Sequence, residues 1–329
     1  MIKQAISWVK AKLGRGFRPA AVACVLAWVL CLGAVESVAE GGYATSLQPQ
    51  NAGFAVAGGR HVKADSVHAL SGIFELHGYA LDQVRAEQEV PAIFLTSLPG
   101  DMNNINVSAE KKALFVRVML PLILAVNQNL EAVRDRLLAV ASRLEAGQSL
   151  ADADQAFAMK LAAQYGIAAE ALTPAVIGEL LKRVDIIPTS LALAQAAEES
   201  GWGTSRFSIE GNALYGQQVY GAGKGMLPGD RPEGKRYYVK HFNSLAETVA
   251  SYAHNLNTHR SYKAFRDMRA QARNAGKNPD GYTLAAALEK YSERGTAYVA
   301  TLRTIMKTND LPAFDEARLK TPVAGESVI

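Results

Sequence analysis

The sequence predicts a mostly helical α+β fold with a small β-lobe, on three observations. Apolar residues recur at helical spacing from Ser108 to Val184. The composition turns strand-like just after Gly216, where Gln217 to Val219 and Tyr237 to Phe242 (YYVKHF) flank the Gly- and Pro-rich segment GAGKGMLPGDRPEGKR. Helical patterning then resumes from Ser244.

Taken in order, the chain opens with a targeting segment that is kept out of the fold. A basic stretch reaches Arg18, an uncharged run spans Pro19 to Val35, and Ser37-Val38-Ala39 offers small residues for cleavage after Ala39. The alternative is an uncleaved anchor giving inner-membrane association, since the run is slightly longer than a usual signal h-region yet shorter than the roughly 20 residues of a comfortable transmembrane helix. Both cysteines, Cys24 and Cys31, lie in this run, so a cleaved product holds no disulfide and no thiolate metal site. Residues 40–65, rich in Gly, Ala, Ser and Gln, are expected to be a flexible linker.

Residues 66–150 are expected to form a helical extension. It begins with a short helical segment from Val67 to about Val84, interrupted at Val90-Pro91 and followed by the loop Leu98 to Asn104. Leu114, Val118 and Leu122 lie on one face, and Leu130, Val133, Leu137, Leu138 and Val140 continue the stripe. Pro121 suggests a break, hence two packed helices between Ser108 and Gly147. Residues 151–312 are read as the main domain. Its helices run from about Ala151 to Tyr165 and from Ala175 to Val184, then through the stretch from Leu191. Past the lobe, Ser244 to Glu247 forms a capping box, with Leu245, Val249, Ala253 and Leu256 as the buried face. Later helices are expected at Tyr262 to Ala275, Thr283 to Tyr291 and Ala297 to Lys307, and residues 313–329 read as an unstructured tail.

Composition excludes some functions. The 329 residues are 49% hydrophobic and 20% charged, as in an ordinary globular protein. The net charge of +4 resides in residues 1–39, which hold five basic groups and one acid, so the rest balances at 30 against 30 and carries no electrostatic footprint for nucleic acid. Gly221 to Gly225 lacks the Ser or Thr of a phosphate loop after Lys224. His254 and His259 lack metalloprotease spacing, and Ser205 lacks the second glycine of a nucleophile elbow because position 207 is Phe. No cofactor and no metal is expected.

The stretch from Leu191 to Gly216, LALAQAAEESGWGTSRFSIEGNALYG, holds the chemistry. Pro188 suits a first turn, and Leu191, Leu193, Ala194, Ala196 and Ala197 favour helix until Gly201 stops it, which sets Glu198 and Glu199 on the last turn. A helix C-terminus disfavours an ionised carboxylate, and an adjacent Trp202 ring would exclude water. Both raise a carboxyl pKa toward the range of a general acid. The bland alternative is a surface pair of glutamates beside a core Trp.

Ala194, Gln195, Ala196, Ala197, Glu199, Ser200, Gly201, Trp202 and Gly203, followed by Asn212, Tyr215 and Gly216, resemble the signature of the glucosaminidases of glycoside hydrolase family 73. Arg231 to Gly234 (RPEG) and Tyr291 to Val299 (YSERGTAYV) are similar to stretches of its Bax-type members from Gram-negative bacteria. The resemblance implies a lysozyme-like domain, exported to the periplasm, that hydrolyses a β-1,4 bond of N-acetylglucosamine in peptidoglycan. It places Glu199 as general acid. Helix geometry turns Glu198 about 100° away. Trp202, Tyr215 and Tyr298 are expected to offer faces to the sugars beside Gly216, and Tyr291 matches a family tyrosine near the N-acetyl group, although Y-S-E-R-G-T-A-Y is one residue longer than the family's element and lacks its Asp-Pro. Glu233 in the lobe is the candidate second carboxylate, with a solvated loop acid as its alternative. Two rivals stay open: a lytic transglycosylase on the same fold, and a non-catalytic glycan-binding envelope protein.

Overall fold

The computed structural model describes residues 59–220, 225–227 and 237–320. The leader, most of the linker, and the loop with Asp230 and Glu233 lie outside the described residues. Helices dominate, as the apolar spacing requires: α1 (Val67–Leu76), α2 (Leu81–Glu87), α3 (Ser108–Glu145), α4 (Asp152–Gln164), α5 (Pro174–Arg183), α6 (Thr189–Ser200), α7 (Arg206–Gly211), α8 (Leu245–Thr258), α9 (Lys263–Asn274), the short α10 (Gly281–Leu284) running into a 3-10 turn, and α11 (Thr296–Thr308). The fold is the mostly helical, lysozyme-like α+β architecture that the sequence predicts.

Helix α3 corrects the expected pair of helices. It runs unbroken for 38 residues through Pro121, about 57 Å at standard rise. A proline there costs one backbone hydrogen bond, but every residue from Val118 to Asn127 is buried, so packing on all sides holds the helix together. Its apolar window is long enough to cross a bilayer yet is largely buried within the protein. The helix joins two cores. Its first half packs against α6 and α8 in the main core, which also takes in Phe74, Phe94, Phe115, Tyr298 and Phe314. Its second half contributes Leu137 and Val140 to a smaller core with Ala158 and Leu161 of α4 and Ile177 and Leu180 of α5.

Where the cores meet, Asp185 is 1% exposed and Arg269 fully buried. Arg273 donates to both Asp185 oxygens at 3.1 and 2.9 Å, while Arg134 and Arg269 stand at 3.6 and 3.8 Å. Arg269 also donates to the carbonyls of Lys182, Arg183, Asp185 and Ile186, so it closes the otherwise orphaned end of α5.

The β-structure is small. Strand β1 (Arg60–Val62) pairs in parallel with β3 (Ile93–Leu95), so the expected linker is already part of the fold by Arg60. The lobe is three-stranded, with β6 (Tyr237–Lys240) between β4 (Gln218–Tyr220) and β5 (Gly225–Met226), all antiparallel. The expected tail is corrected up to Lys320. Phe314 is fully buried, and β7 (Arg318–Leu319) pairs in parallel with β2 (Glu89–Val90). The segment from residue 313 on is too short to show a helical or strand period in the sequence. The capping box forms: Ser244 Oγ accepts from Glu247 N, and the Glu247 carboxylate reaches back to the backbone N–H of Asn243.

Candidate active site

Helix α6 carries the site because both of its ends are held. Pro188 is its N-cap rather than a first-turn residue, and the free N–H and hydroxyl of Ser190 donate to Asp315 at 2.7 and 2.8 Å. That acceptor comes from the C-terminal segment. Burial pushes the Asp315 carboxyl up to about 6, against the pull of these two bonds. At the other end Gly201, Trp202 and Gly203 all take left-handed backbone conformations, with φ of 59°, 59° and 78°. Ser200 ties this turn: its hydroxyl donates to Ala196 O at 2.6 Å and accepts from Gly203 N at 2.8 Å. A Cβ on Gly203 would stand 2.9 Å from Phe115 and 3.0 Å from Leu98. The residues Ser-Gly-Trp-Gly therefore answer a geometric demand: a helix must stop abruptly against α3.

Glu199 sits on the last turn, half-buried. Oε1 accepts from the Tyr298 hydroxyl at 2.8 Å. Oε2 lies on the side of exposed Gly216, where an added Cβ would come within 3.0 Å of it, and Gly216 has φ of +62°. Both the conformation and the close approach call for glycine. Burial raises the Glu199 carboxyl to about 7. The Tyr298 bond opposes that rise, the neighbouring Glu198 charge adds to it, and Arg294 opposes it more weakly. Glu198 points elsewhere, into an ion pair with Arg294, whose other arm reaches Thr301 at 2.6 Å. The arginine belongs to the YSERG stretch, so that element neutralises the wrong glutamate and leaves the other protonatable.

The aromatic residues are rearranged relative to expectation. Tyr298 is 1% exposed and Tyr215 2% exposed, so neither ring offers a face to a sugar. Tyr215 stacks on Tyr252 with centroids 3.8 Å apart, and Tyr298 lies parallel to Tyr291 at 5.7 Å. Aromatic side chains near a glycosidase acid suggest sugar platforms, but here they form the wall that dries the carboxyl. Tyr291 is half-buried and donates its hydroxyl to Tyr215 O at 2.9 Å, pinning the chain just before Gly216. Trp202 is half-buried, edge-on to Phe115 at 5.9 Å, with Lys112 over its ring at 5.1 Å. Its recorded contacts run toward α3, while the groups around Glu199 are tyrosines, which corrects the expectation that the Trp ring is what excludes water from the acid.

Two further residues complete the site. Gln195, fully buried one turn before Glu199, accepts from the Tyr252 hydroxyl at 2.7 Å and donates from Nε2 to the Tyr298 oxygen at 3.0 Å. The bonds run in one direction, Tyr252 to Gln195 to Tyr298 to Glu199. Burial holds both tyrosine hydroxyls protonated. The signal for Gln195 is visible in sequence as a lone amide in an alanine-rich helix. That for Tyr252 is its place on the apolar face of α8, beside Val249, Ala253 and Leu256. Asn212 takes a left-handed conformation to end α7 and donates to Phe242 O at 3.0 Å, which ties the lobe's return to the Asn-x-x-Tyr-Gly turn.

One carboxyl held against a tyrosine hydroxyl at the end of a helix, in a lysozyme-like fold, is the arrangement expected of a glycosidase acid. The family model described as Mannosyl-glycoprotein endo-beta-N-acetylglucosaminidase matches residues 174–311. Protein bax of Escherichia coli (strain K12) is 34% identical over 204 residues, covering 62% of this chain and 71% of that protein. No solved structure matches the chain. The chain belongs to the glucosaminidase family of glycoside hydrolases, family 73, in its Bax-type branch.

Proposed function

We propose that the protein is an endo-β-N-acetylglucosaminidase that cleaves a β-1,4 bond in peptidoglycan outside the cytoplasm, with Glu199 as general acid. The observation that carries this reading is the proton arrangement at Glu199. Tyr298 accepts from Gln195, so its own proton goes to Oε1. Oε1 is then an acceptor, and the acid proton belongs on Oε2, the oxygen beside exposed Gly216 where the lobe begins. A carboxyl with a pKa of about 7 is half protonated at neutral pH and well matched to protonating a glycosidic oxygen.

The partner that activates water is read as Glu233, in the segment just before β6. Glu198 is committed to Arg294 and is unsuited to the task. Digestion of purified peptidoglycan followed by mass spectrometry tests the reaction class: reducing N-acetylglucosamine ends are expected, and anhydro-sugar ends would assign a lytic transglycosylase. Proton NMR of the first-formed anomer tests Glu233. Inversion, with Glu233→Gln inactive, is expected for a base at that position. Retention with a fully active variant would move the role to the substrate's own acetamido group.

Tyr298→Phe gives a distinct result. The tyrosine bond favours the ionised acid, so its removal keeps Glu199 protonated to higher pH. The alkaline fall of kcat/KM, expected near pH 7 in the parent, should move upward by about one pH unit. An unmoved alkaline limb would show that Tyr298 does not control the acid.

A further inference from the structure

The direction of the hydrogen bonds at Glu199 is decided away from the carboxyl itself. Gln195 is fully buried, and its amide lies between two tyrosine hydroxyls: Oε1 accepts from Tyr252 at 2.7 Å, and Nε2 donates to Tyr298 at 3.0 Å. The two ends of an amide have nearly the same shape but opposite roles, since the oxygen only accepts and the nitrogen only donates. Turned end for end, the same side chain would fill the same space and reverse every bond between Tyr252 and Glu199. Tyr298 would then give its proton to Gln195, and its oxygen would accept one from Glu199.

Tyr252 removes that ambiguity. It is 1% exposed and its ring is stacked on Tyr215 with centroids 3.8 Å apart. Among the described residues its hydroxyl proton has one acceptor within hydrogen-bond distance, Gln195 Oε1. Burial holds the hydroxyl protonated. Turning the amide would aim that proton at an N–H group with no other acceptor in reach, whereas buried donors are normally satisfied. Tyr252 therefore selects the orientation in which Nε2 faces Tyr298 and the Tyr298 proton faces Glu199 Oε1 at 2.8 Å. Because its oxygen already accepts from Nε2, the Tyr298 hydroxyl is also the stronger donor. The chain of bonds is the same whether Glu199 holds a proton on Oε2 or is ionised, so the acid gives up that proton without any donor having to turn.

We propose that Tyr252 and Gln195 are positioning residues for the catalytic acid: Tyr252 fixes the orientation of the Gln195 amide, and the amide commits the Tyr298 hydroxyl to Glu199 Oε1, which keeps the acid proton on Oε2. The proposal rests on the reading of Glu199 as general acid given above. The other titratable groups that act on Glu199 are Glu198 and Arg294, paired with each other, and Tyr262 and Tyr291. Among the described residues none of these four bonds to the amide.

The test follows the Glu199 carboxyl by carbon-13 NMR in the full chain labelled at its glutamate carboxyls, with the resonance assigned by its loss in Glu199→Gln. It needs no substrate. Gln195→Met roughly keeps the volume and removes both bonds, so Tyr298 becomes a weaker donor and is free to accept from a protonated Glu199. Glu199 is then expected to stay protonated to a pH higher by about half a unit, part of the roughly one-unit shift expected of Tyr298→Phe. Added to Tyr298→Phe, Gln195→Met should shift it no further, because the amide acts through the tyrosine. Tyr252→Phe leaves the amide in place but frees it to turn, and should move the titration the same way; it carries the test if Gln195→Met fails to fold. An unmoved titration in either variant that folds, or shifts that add in the double variant, would overturn the proposal, since residues that only fill the core give one or the other. Turnover is read separately: where glycan is cut, kcat is expected to fall in both variants with KM held, because neither residue reaches the substrate. Coupled titrations in a protein that cuts no glycan leave the positioning role standing and reject the function, whereas hydrolysis with uncoupled titrations does the reverse.

Discussion

If Glu199 is the general acid proposed above, Glu199→Gln is expected to lower the turnover of peptidoglycan by about 10² to 10⁴-fold or more, the usual worth of such a group, and to make the protein more stable in alkaline solution. Glutamine keeps the shape of the side chain and an oxygen for the Tyr298 hydroxyl, but it brings no transferable proton. The stability gain follows from linkage. The folded carboxyl sits at about 7 against an ordinary value of 4.5, chiefly because it is buried. A pKa raised by folding contributes stability that is fully present below the unfolded value and is lost as pH rises through the folded one, here between about pH 4.5 and 7. That difference corresponds to about 3 kcal/mol. At pH 8 the variant is expected to exceed the parent by up to about that amount, and at pH 4 to match it. Denaturant titrations at both values, beside a turnover assay, provide the check. Equal stability at both pH values together with unchanged turnover would remove Glu199 from its role.

Asp185→Ala is expected to cost about 3–5 kcal/mol of stability, the range for breaking a buried ion pair from one side, because it strands Arg269 where no solvent reaches. Burial pushes the Asp185 carboxyl up, but Arg269, Arg273 and Arg134 together outweigh burial and leave it below the usual carboxylate range. A folded pKa lowered in this way contributes stability above the unfolded value, which is lost as acid protonates the group below about pH 4. Asp185→Asn, which retains an acceptor for Arg273, should cost less. Urea midpoints at pH 7 rank the three proteins. A loss under about 1 kcal/mol for Asp185→Ala would mean that the carbonyl partners of Arg269 suffice without the carboxylate.

What could be read in the sequence was local chemistry. The end of α6 at Gly201 and the cap at Ser244 depend on residues within one turn of each other, the lobe after Gly216 on a short-range change of composition, and the structure places all three as expected. What escaped depends on partners far along the chain. Pro121 signals a break by local rules, and only the burial of the surrounding turns on α6 and α8 cancels it. Tyr215 and Tyr298 carry the right residue type for sugar binding, but their environment comes from α8 and from Tyr291. Asp315, in a segment without periodicity, holds the start of α6 through Ser190, 125 residues away in sequence. The relay through Gln195 likewise joins three separate elements, and no spacing along the chain reveals it.

The contact of Gly203 with Phe115 and Leu98 bears on what descent and folding each define as a part. The segment aligned with the family begins at residue 174, yet the turn after Glu199 is shaped by Phe115 and Leu98, both well before that start. The aligned stretch shares its core with residues that lie before it. Cut free there, α6 loses its neighbour along one flank and the main core opens to water. In this protein the segment matched to the family is packed against the N-terminal helices, and transplanting it to another scaffold would require carrying that buttress with it.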